Sequence, residues 1–301
     1  MNIPASVRLV EVGPRDGLQN EATQVPTTVK IAFVNALAAA GHSTIEVSAF
    51  VSPRWVPQMA DAAEVFAGIE RRDGVRYTAL VPNLAGLERA QKAGVSEIAI
   101  FAAASETFSQ RNINQSISAS LEAYAVVCRH AAAARLPVRA YLSTVFGCPF
   151  EGDVPIPTVA AVAAQLIEMG AYEVALSDTI GIAHPGQVAP IVDAVAKHVS
   201  RQQIALHFHD TRGMALVNVS AGLDAGVTTF DSSAGGLGGC PYAPGATGNL
   251  ATEDLVYMLN GVGIQTGVEL ERLFDASRLI EPHVGHALPS RVYRADGSHT
   301  R

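Results

Sequence analysis

His207 and His209 stand two residues apart in Ala205-Leu206-His207-Phe208-His209-Asp210-Thr211-Arg212-Gly213. On an extended strand, residues i and i+2 face the same way, so both imidazoles enter one space. The rest of that run, Ala205, Leu206 and Phe208, is apolar, which predicts a buried strand. Burying two imidazoles without partners is costly. A divalent cation would partner both; the plain alternative is two core histidines hydrogen bonded to backbone carbonyls. Three further segments bear on that choice. Arg15-Asp16 follows the apolar run 7–12, Glu46 lies in Ser43-Thr44-Ile45-Glu46-Val47, and Asp178 follows the run 173–177. Each places an acid on or just past the carboxyl end of a predicted strand. One such acid is ordinary; four strands contributing in this way point to a site.

The elements that must position these residues alternate along the chain. Short β-branched runs predict strands at 8–12, 44–48, 77–80, 97–101, 138–142, 173–177, 204–209 and 228–231. Between them, amphipathic patterns predict helices at 28–40, 84–93, 116–135, 157–169, 186–199 and 214–225. Several of these end in glycine, at Gly41, Gly94, Gly170 and Gly226, the residue that most readily stops a helix. Eight βα units predict a (β/α)8 TIM barrel of the α/β class. An open doubly wound sheet uses similar local patterns, but no Gly-x-Gly-x-x-Gly follows the first strand. Residues 1–301 therefore read as a single TIM-barrel catalytic domain, with catalytic groups at the carboxyl ends of the strands. Residues 232–301 are expected to form a Gly-rich active-site loop and additional C-terminal helices that cap the barrel or support an oligomer, a homodimer.

Composition narrows the function. The 301 residues are 49% hydrophobic and 16% charged, enough for one large core. A net charge of −7 argues against a nucleic-acid partner. No run approaches about 18 uninterrupted apolar residues, so no membrane span is expected, and the opening Met1-Asn2-Ile3-Pro4-Ala5 lacks the features of a secretory signal. The three cysteines, Cys128, Cys148 and Cys240, are too scattered for a disulfide framework. They suit a reducing compartment, and a soluble cytoplasmic protein is expected.

Individual motifs carry the chemistry further. In Gly13-Pro14-Arg15-Asp16-Gly17, glycine and proline set a bend that presents a cation beside an anion. Alone this would be a loop ion pair of little worth. Beside the histidines, Asp16 reads as a metal ligand and Arg15 as the cation that faces a developing oxyanion. Mixed Asp/His/Asn ligation suits Mg²⁺ or Mn²⁺ better than a thiolate-preferring metal. Gly235-Gly236-Leu237-Gly238-Gly239-Cys240 puts a thiol at the end of a permissive loop, in surroundings unlike those of a structural core cysteine. Asn249, ahead of a predicted helix, is either an N-cap or a carbonyl-oxygen ligand. Asn83 is either site-lining or a turn residue. His42, His184 and His283 have no partner pattern and are expected at the surface or as caps. Cys128 is expected in the core, and Cys148 stays open.

The chain resembles the 3-hydroxy-3-methylglutaryl-CoA lyase family over nearly its full length. The resemblance rests on the segments 11–21, 50–59 and Ser177-Asp178-Thr179-Ile180-Gly181, and equally on His207-Phe208-His209-Asp210-Thr211, on 236–243 and on 248–257. The Arg-Asp, His-x-His and Asn elements are shared with isopropylmalate and homocitrate synthases; the cysteine loop points to the lyase branch. The resemblance implies metal-dependent cleavage of an acyl-CoA substrate, 3-hydroxy-3-methylglutaryl-CoA, to acetyl-CoA and acetoacetate. It implies Asp16, His207, His209 and Asn249 as metal ligands, and Arg15, Asp16, Glu46, Asp178, His207 and Cys240 as catalytic residues. Arg15 would hold the thioester enolate, Cys240 would join the proton transfers, and Glu46 and Asp178 would complete the polar network around the substrate hydroxyl. The chain departs from the family pattern at Gln115, Ser177, Arg212 and Met214, and in the tail from Glu281 onward. Because Arg212 adds a cation beside the histidine strand, a lyase for citramalyl-CoA or a 3-alkylglutaryl-CoA is the alternative. A condensing acyltransferase of the isopropylmalate synthase type and a non-catalytic barrel are the remaining ones.

Overall fold

The computed structural model describes residues 3–239 and 248–296. The apolar runs form eight parallel strands: β1 (Arg8–Glu11), β2 (Thr44–Ala49), β3 (Arg76–Leu80), β4 (Glu97–Ala103), β5 (Val138–Ser143), β6 (Ala171–Asp178), β7 (Ile204–Phe208) and β8 (Thr229–Ser232). Each pairs with its neighbours in chain order, and β8 pairs with β1 to close the barrel. That closure decides between the barrel and the open sheet. Every strand lies within two residues of its expected bounds.

The helices are α1 (Thr27–Ala39), α2 (Ala62–Gly68), α3 (Leu84–Lys92), α4 (Glu106–Ile113), α5 (Ile117–Ala133), α6 (Ile156–Glu168), α7 (Pro185–Val195), α8 (Ala215–Asp224), α9 (Thr252–Gly261), α10 (Leu270–Val284) and α11 (Arg291–Asp296). All six expected helices form. The short α2 and α4 are additional turns inside βα connections, too brief to show a period. After β8, α10 lies against α1, where the Glu269 N–H donates to the Ala40 carbonyl at 2.8 Å. Gly41, Gly94, Gly170 and Gly226 all hold positive φ, as helix-stopping glycines should. Asn83 caps α3 by accepting from the Gly86 N–H at 2.9 Å, which settles it as a capping residue. His184 stands at the N-cap of α7, and His283 lies half-buried in the last turn of α10. Cys128 is in the core as expected, and Cys148 is also buried, its Sγ 3.0 Å from Ser105 Oγ. Among the described residues no helix is long and apolar enough to cross a membrane.

Both faces of the sheet are covered, so β2 is buried at every position. The lumen nevertheless contains charge. Arg8 pairs with Glu173, Arg139 Nε donates to Glu173 Oε1 at 2.7 Å, and Arg139 Nη2 donates to Asp231 Oδ1 at 2.7 Å. On the outer face, Glu11 Oε1 accepts from the N–H groups of Gly13 (2.8 Å) and Ala234 (2.9 Å), and Oε2 from the Thr252 hydroxyl (2.7 Å). Glu253 accepts from the Gly235 N–H at 2.8 Å and from Ser277 Oγ. Two acids thus hold consecutive amides where the Gly-rich segment leaves β8. His42 corrects the expectation of a surface or capping residue: it is 1% exposed, with Nε2 3.5 Å from Glu11 Oε2. Burial pushes its pKa down to about 3, so it packs as a neutral ring.

Two predictions follow from this packing. Gly41 holds φ 101°, and a Cβ there would meet the Gly267 carbonyl oxygen at 2.2 Å, whereas Gly74, at φ 81°, has nothing within 4 Å. Gly74→Ala should cost only the left-handed strain, about 1–2 kcal/mol. Gly41→Ala adds a backbone overlap and should lower the thermal midpoint distinctly more; equal losses would mean that the contact yields freely. Burial raises the Glu11 pKa from 4.5 to about 8. As pH rises between these values the unfolded chain releases a proton that the folded chain retains, so this group's contribution to stability falls across that window and levels off above it. Glu11→Gln should therefore gain in urea midpoint relative to the parent as pH rises from about 5 to 8, and a pH-independent difference would refute the assignment.

Candidate functional site

Asp16, His207 and His209 meet at the carboxyl end of the barrel, with Arg15 and Glu46 beside them. After β1 the chain makes a wide π turn, Gly13–Gly17, in which the N–H groups of Arg15, Asp16 and Gly17 all point to the Val12 carbonyl, at 3.2, 2.7 and 3.1 Å. Such turns re-aim side chains and are frequent at functional sites. Asp16 Oδ2 lies 3.8 Å from His207 Nε2 and 3.8 Å from His209 Nε2. One donor atom from each of these three residues falls within 4.8 Å of the others. The two imidazole centroids are 5.2 Å apart, as the shared strand face requires. His209 itself lies one residue past β7, in a bridge to Asn249.

Asn249 is not a helix cap: α9 begins at Thr252, with Ala251 in the cap position. Its Nδ2 donates to the Leu237 carbonyl at 3.1 Å, which leaves Oδ1 buried without a partner among the described residues. His209 Nδ1 and Glu46 Oε1 are in the same condition. Buried polar atoms are normally satisfied; Asn249 is bridged to His209 and Glu46 shares Arg15 with Asp16, so their two unpartnered oxygens are available to a ligand bound beside that cluster. A carboxylate, two imidazoles and an amide oxygen fit a hard to borderline divalent cation. Close by, a Cβ at Gly248 would fall 1.8 Å from the Gly238 carbonyl oxygen, and Gly238 holds φ 112°. The two ends of the Gly-rich segment thus touch, backbone to backbone, in a neck that Asn249 ties. Cys240 lies outside the described residues.

Arg15 is buried and fixed twice, its Nε donating to Glu46 Oε2 at 2.6 Å and its Nη1 to Asp16 Oδ1 at 2.7 Å. Tyr141 donates its hydroxyl to Glu46 Oε2 at 3.1 Å, and Arg15 lies over its ring, 5.2 Å from the centroid. Burial alone would raise the Asp16 pKa, but Arg15 and then the two histidines overcome it and hold the carboxyl well below its usual range. Glu46 is the reverse case: burial outweighs Arg15 and raises it. Asp178 ends β6, but its two oxygens accept from the N–H groups of Ile182 (2.9 Å) and Ala183 (3.0 Å). It shapes the loop beside the histidines and, among the described residues, makes no hydrogen bond to the other site side chains. Arg212 donates to the carbonyls of Ile180 (3.0 Å) and Gly181 (2.9 Å) in that same loop, which ties its cation to backbone.

Three lumen residues escaped the sequence reading. Asp231 contacts His207 Nδ1 at 3.2 Å, Arg139 braces Asp231, and Tyr141 braces Glu46. Asp231 carries the signal used elsewhere, an acid at the carboxyl end of a predicted strand. Arg139 and Tyr141 alternate on the buried strand β5, as His207 in β7 and His209 just past it do.

The HMGL-like family model matches residues 6–280. A 3-hydroxy-3-isohexenylglutaryl-CoA/hydroxy-methylglutaryl-CoA lyase of Pseudomonas aeruginosa is 55% identical over 98% of each chain. A hydroxymethylglutaryl-CoA lyase of Bacillus subtilis is 52% identical over 97% of each. The crystal structure of hydroxymethylglutaryl-CoA lyase from Pseudomonas aeruginosa superposes with a TM-score of 0.98 at 54% identity, covering 100% of both chains. Barrel, site and relatives together place the chain: it belongs to the 3-hydroxy-3-methylglutaryl-CoA lyase (HMGL-like) family.

Proposed function

We propose that this chain cleaves 3-hydroxy-3-methylglutaryl-CoA to acetyl-CoA and acetoacetate by a metal-dependent retro-Claisen reaction. The observation that carries the proposal is the convergence of Asp16, His207 and His209 on one point, with Arg15 bound to Asp16, at the mouth of the barrel. Asp16, His207, His209 and Asn249 would hold Mg²⁺ or Mn²⁺. A cation bound there lowers the pKa of the substrate hydroxyl and polarises its oxygen.

In the reaction the C3 hydroxyl gives up its proton and becomes the ketone of acetoacetate. The C2–C3 bond breaks, its electron pair moves onto C2 and the thioester oxygen as an enolate, and C2 takes up a proton. Glu46 suits the first transfer, because Oε2 is fixed by Arg15 and Tyr141 while the buried Oε1 has no partner among the described residues. Its raised pKa brings it nearer to that of an effective base. Arg15 supplies the cation for the enolate oxygen; Glu46 and Asp16 preorganise it, so no reorientation is needed as charge develops. Asp178 holds the loop 179–183 at the mouth through its two backbone amides. The Cys240 thiol is proposed as the acid that protonates C2.

The setting we propose is a cytoplasmic homodimer; relatives are named as both cytoplasmic and mitochondrial forms. A second reading, cleavage of longer 3-alkylglutaryl-CoA thioesters as well, is favoured by the double substrate name of the Pseudomonas aeruginosa relative. An acetyl-CoA release assay across a panel of 3-hydroxyacyl-CoA thioesters, with and without chelator, tests both. No release from any of them in the presence of Mg²⁺ or Mn²⁺ would overturn the proposal.

Three variants probe the roles. His207→Ala and His209→Ala should each weaken Mn²⁺ binding by more than the about 10–100-fold typical of losing an outer-shell partner, with the circular dichroism of the barrel retained. Unchanged affinity in both would remove the histidines from the cation site. Arg15→Gln should lower kcat by at least about 10²–10³-fold, the cost of one oxyanion donor, while KM changes little. Normal kcat with a raised KM would make Arg15 a docking residue.

A further inference from the structure

The two histidines of the site are chemically inequivalent. His207 Nδ1 lies 3.2 Å from Asp231 Oδ2, while His209 Nδ1 is buried with no partner among the described residues. Asp231 is itself 1% exposed and held from the other side by Arg139, with Nη2 on Oδ1 at 2.7 Å and Nη1 on Oδ2 at 3.1 Å. Arg139 is anchored in turn by Nε on Glu173 Oε1 at 2.7 Å. A guanidinium can only donate, so both Asp231 oxygens must accept, and an ionised carboxylate can only accept. The proton of the remaining contact therefore sits on His207 Nδ1. In the neutral ring Nε2 then carries the lone pair, and it lies 3.8 Å from Asp16 Oδ2.

We propose that Asp231 is the positioning residue of the cation site: braced by Arg139, it fixes His207 in the Nδ1–H tautomer and orientation that offer Nε2 to a divalent cation. Second carboxylates commonly orient metal-binding histidines in this way and raise their basicity. His209, without such a partner, is the more adaptable of the two ligands. This inference rests on the reading of Asp16, His207 and His209 as a cation site, but the tautomer it asserts belongs to the chain alone.

The substitution Asp231→Asn keeps the shape and destroys the logic. An amide has one acceptor where Arg139 and His207 require two, and with Oδ1 on Arg139 its Nδ2–H faces His207 Nδ1. The variant should favour the Nε2–H tautomer, which cannot ligate through Nε2. The test uses long-range ¹H–¹⁵N spectra of histidine-labelled protein, at a pH where imidazole is neutral, with His207 assigned by His207→Gln. The parent should show His207 protonated at Nδ1 and not at Nε2, and Asp231→Asn should reverse or mix the two. Mn²⁺ affinity read by electron paramagnetic resonance should fall by about 10–100-fold in Asp231→Asn, with the His209 signals in place. A parent His207 protonated at Nε2 overturns the proposal even if the variant fails to fold. Equal Mn²⁺ affinity in parent and folded variant overturns it as well, whereas a parent that binds no Mn²⁺ refutes the cation site and leaves the tautomer to the spectrum.

Discussion

Charge inside a closed barrel is tolerated only beside charge of the opposite sign, and this condition governs the lumen from floor to mouth. Arg8 meets Glu173, Glu173 meets Arg139, Arg139 meets Asp231, and Asp231 meets His207. His207 faces Asp16, which meets Arg15, which meets Glu46. Breaking one buried pair by removing a partner costs about 3–5 kcal/mol, because the other charge is then stranded. The series contains three arginines against the four carboxylates Glu173, Asp231, Asp16 and Glu46. The shortfall of positive charge lies at its upper end, beside the histidines, where Glu46 Oε1 is also without a partner among the described residues. A divalent cation would answer both the electrostatic shortfall and the missing hydrogen-bond partners.

The same arrangement accounts for the divergent acidity of neighbouring carboxyls. Asp16 and Glu46 both bind Arg15, yet one is lowered and the other raised. Asp16 shares its space with two imidazoles as well as the guanidinium, while Glu46 lies deeper and has one oxygen without a partner among the described residues. Neighbouring titratable groups with acidities driven apart are how one site holds an anion and a proton acceptor side by side. Stability and reactivity here come from one set of contacts.

Much of this was legible in the sequence because it depends on period and position. The eight strands were readable from alternating runs, and the glycine stops from their place after helices. The His-x-His pair needed only the two-residue repeat of a strand, and Asp16 only its place after one, whereas Glu46, expected at a strand end, sits third in the six-residue β2. What escaped depends on the third dimension. His42 looks like any histidine after a helix, and nothing local says that Glu11 faces it from β1. Asn249 looked equally like a cap until α9 was seen to begin three residues later. Asp178 met the strand-end rule, but its oxygens accept from backbone N–H groups four and five residues on, which no spacing reveals. Arg139 was hidden because a charged residue inside an apolar run is legible only once its counter-ions, from β6 and β8, are brought beside it.

The neck at the base of the Gly-rich segment has a thermodynamic consequence. Gly238 and Gly248 touch backbone to backbone, and Asn249 secures them through the Leu237 carbonyl, while its Oδ1, without a partner among the described residues, is the atom proposed to hold the cation. One planar amide therefore serves two masters, and its two ends cannot move independently. By reciprocity, whatever an ion gains from a well-placed Asn249 oxygen, the closed neck gains from the ion. The segment's anchorage and the ion's affinity are then a single quantity read from two directions.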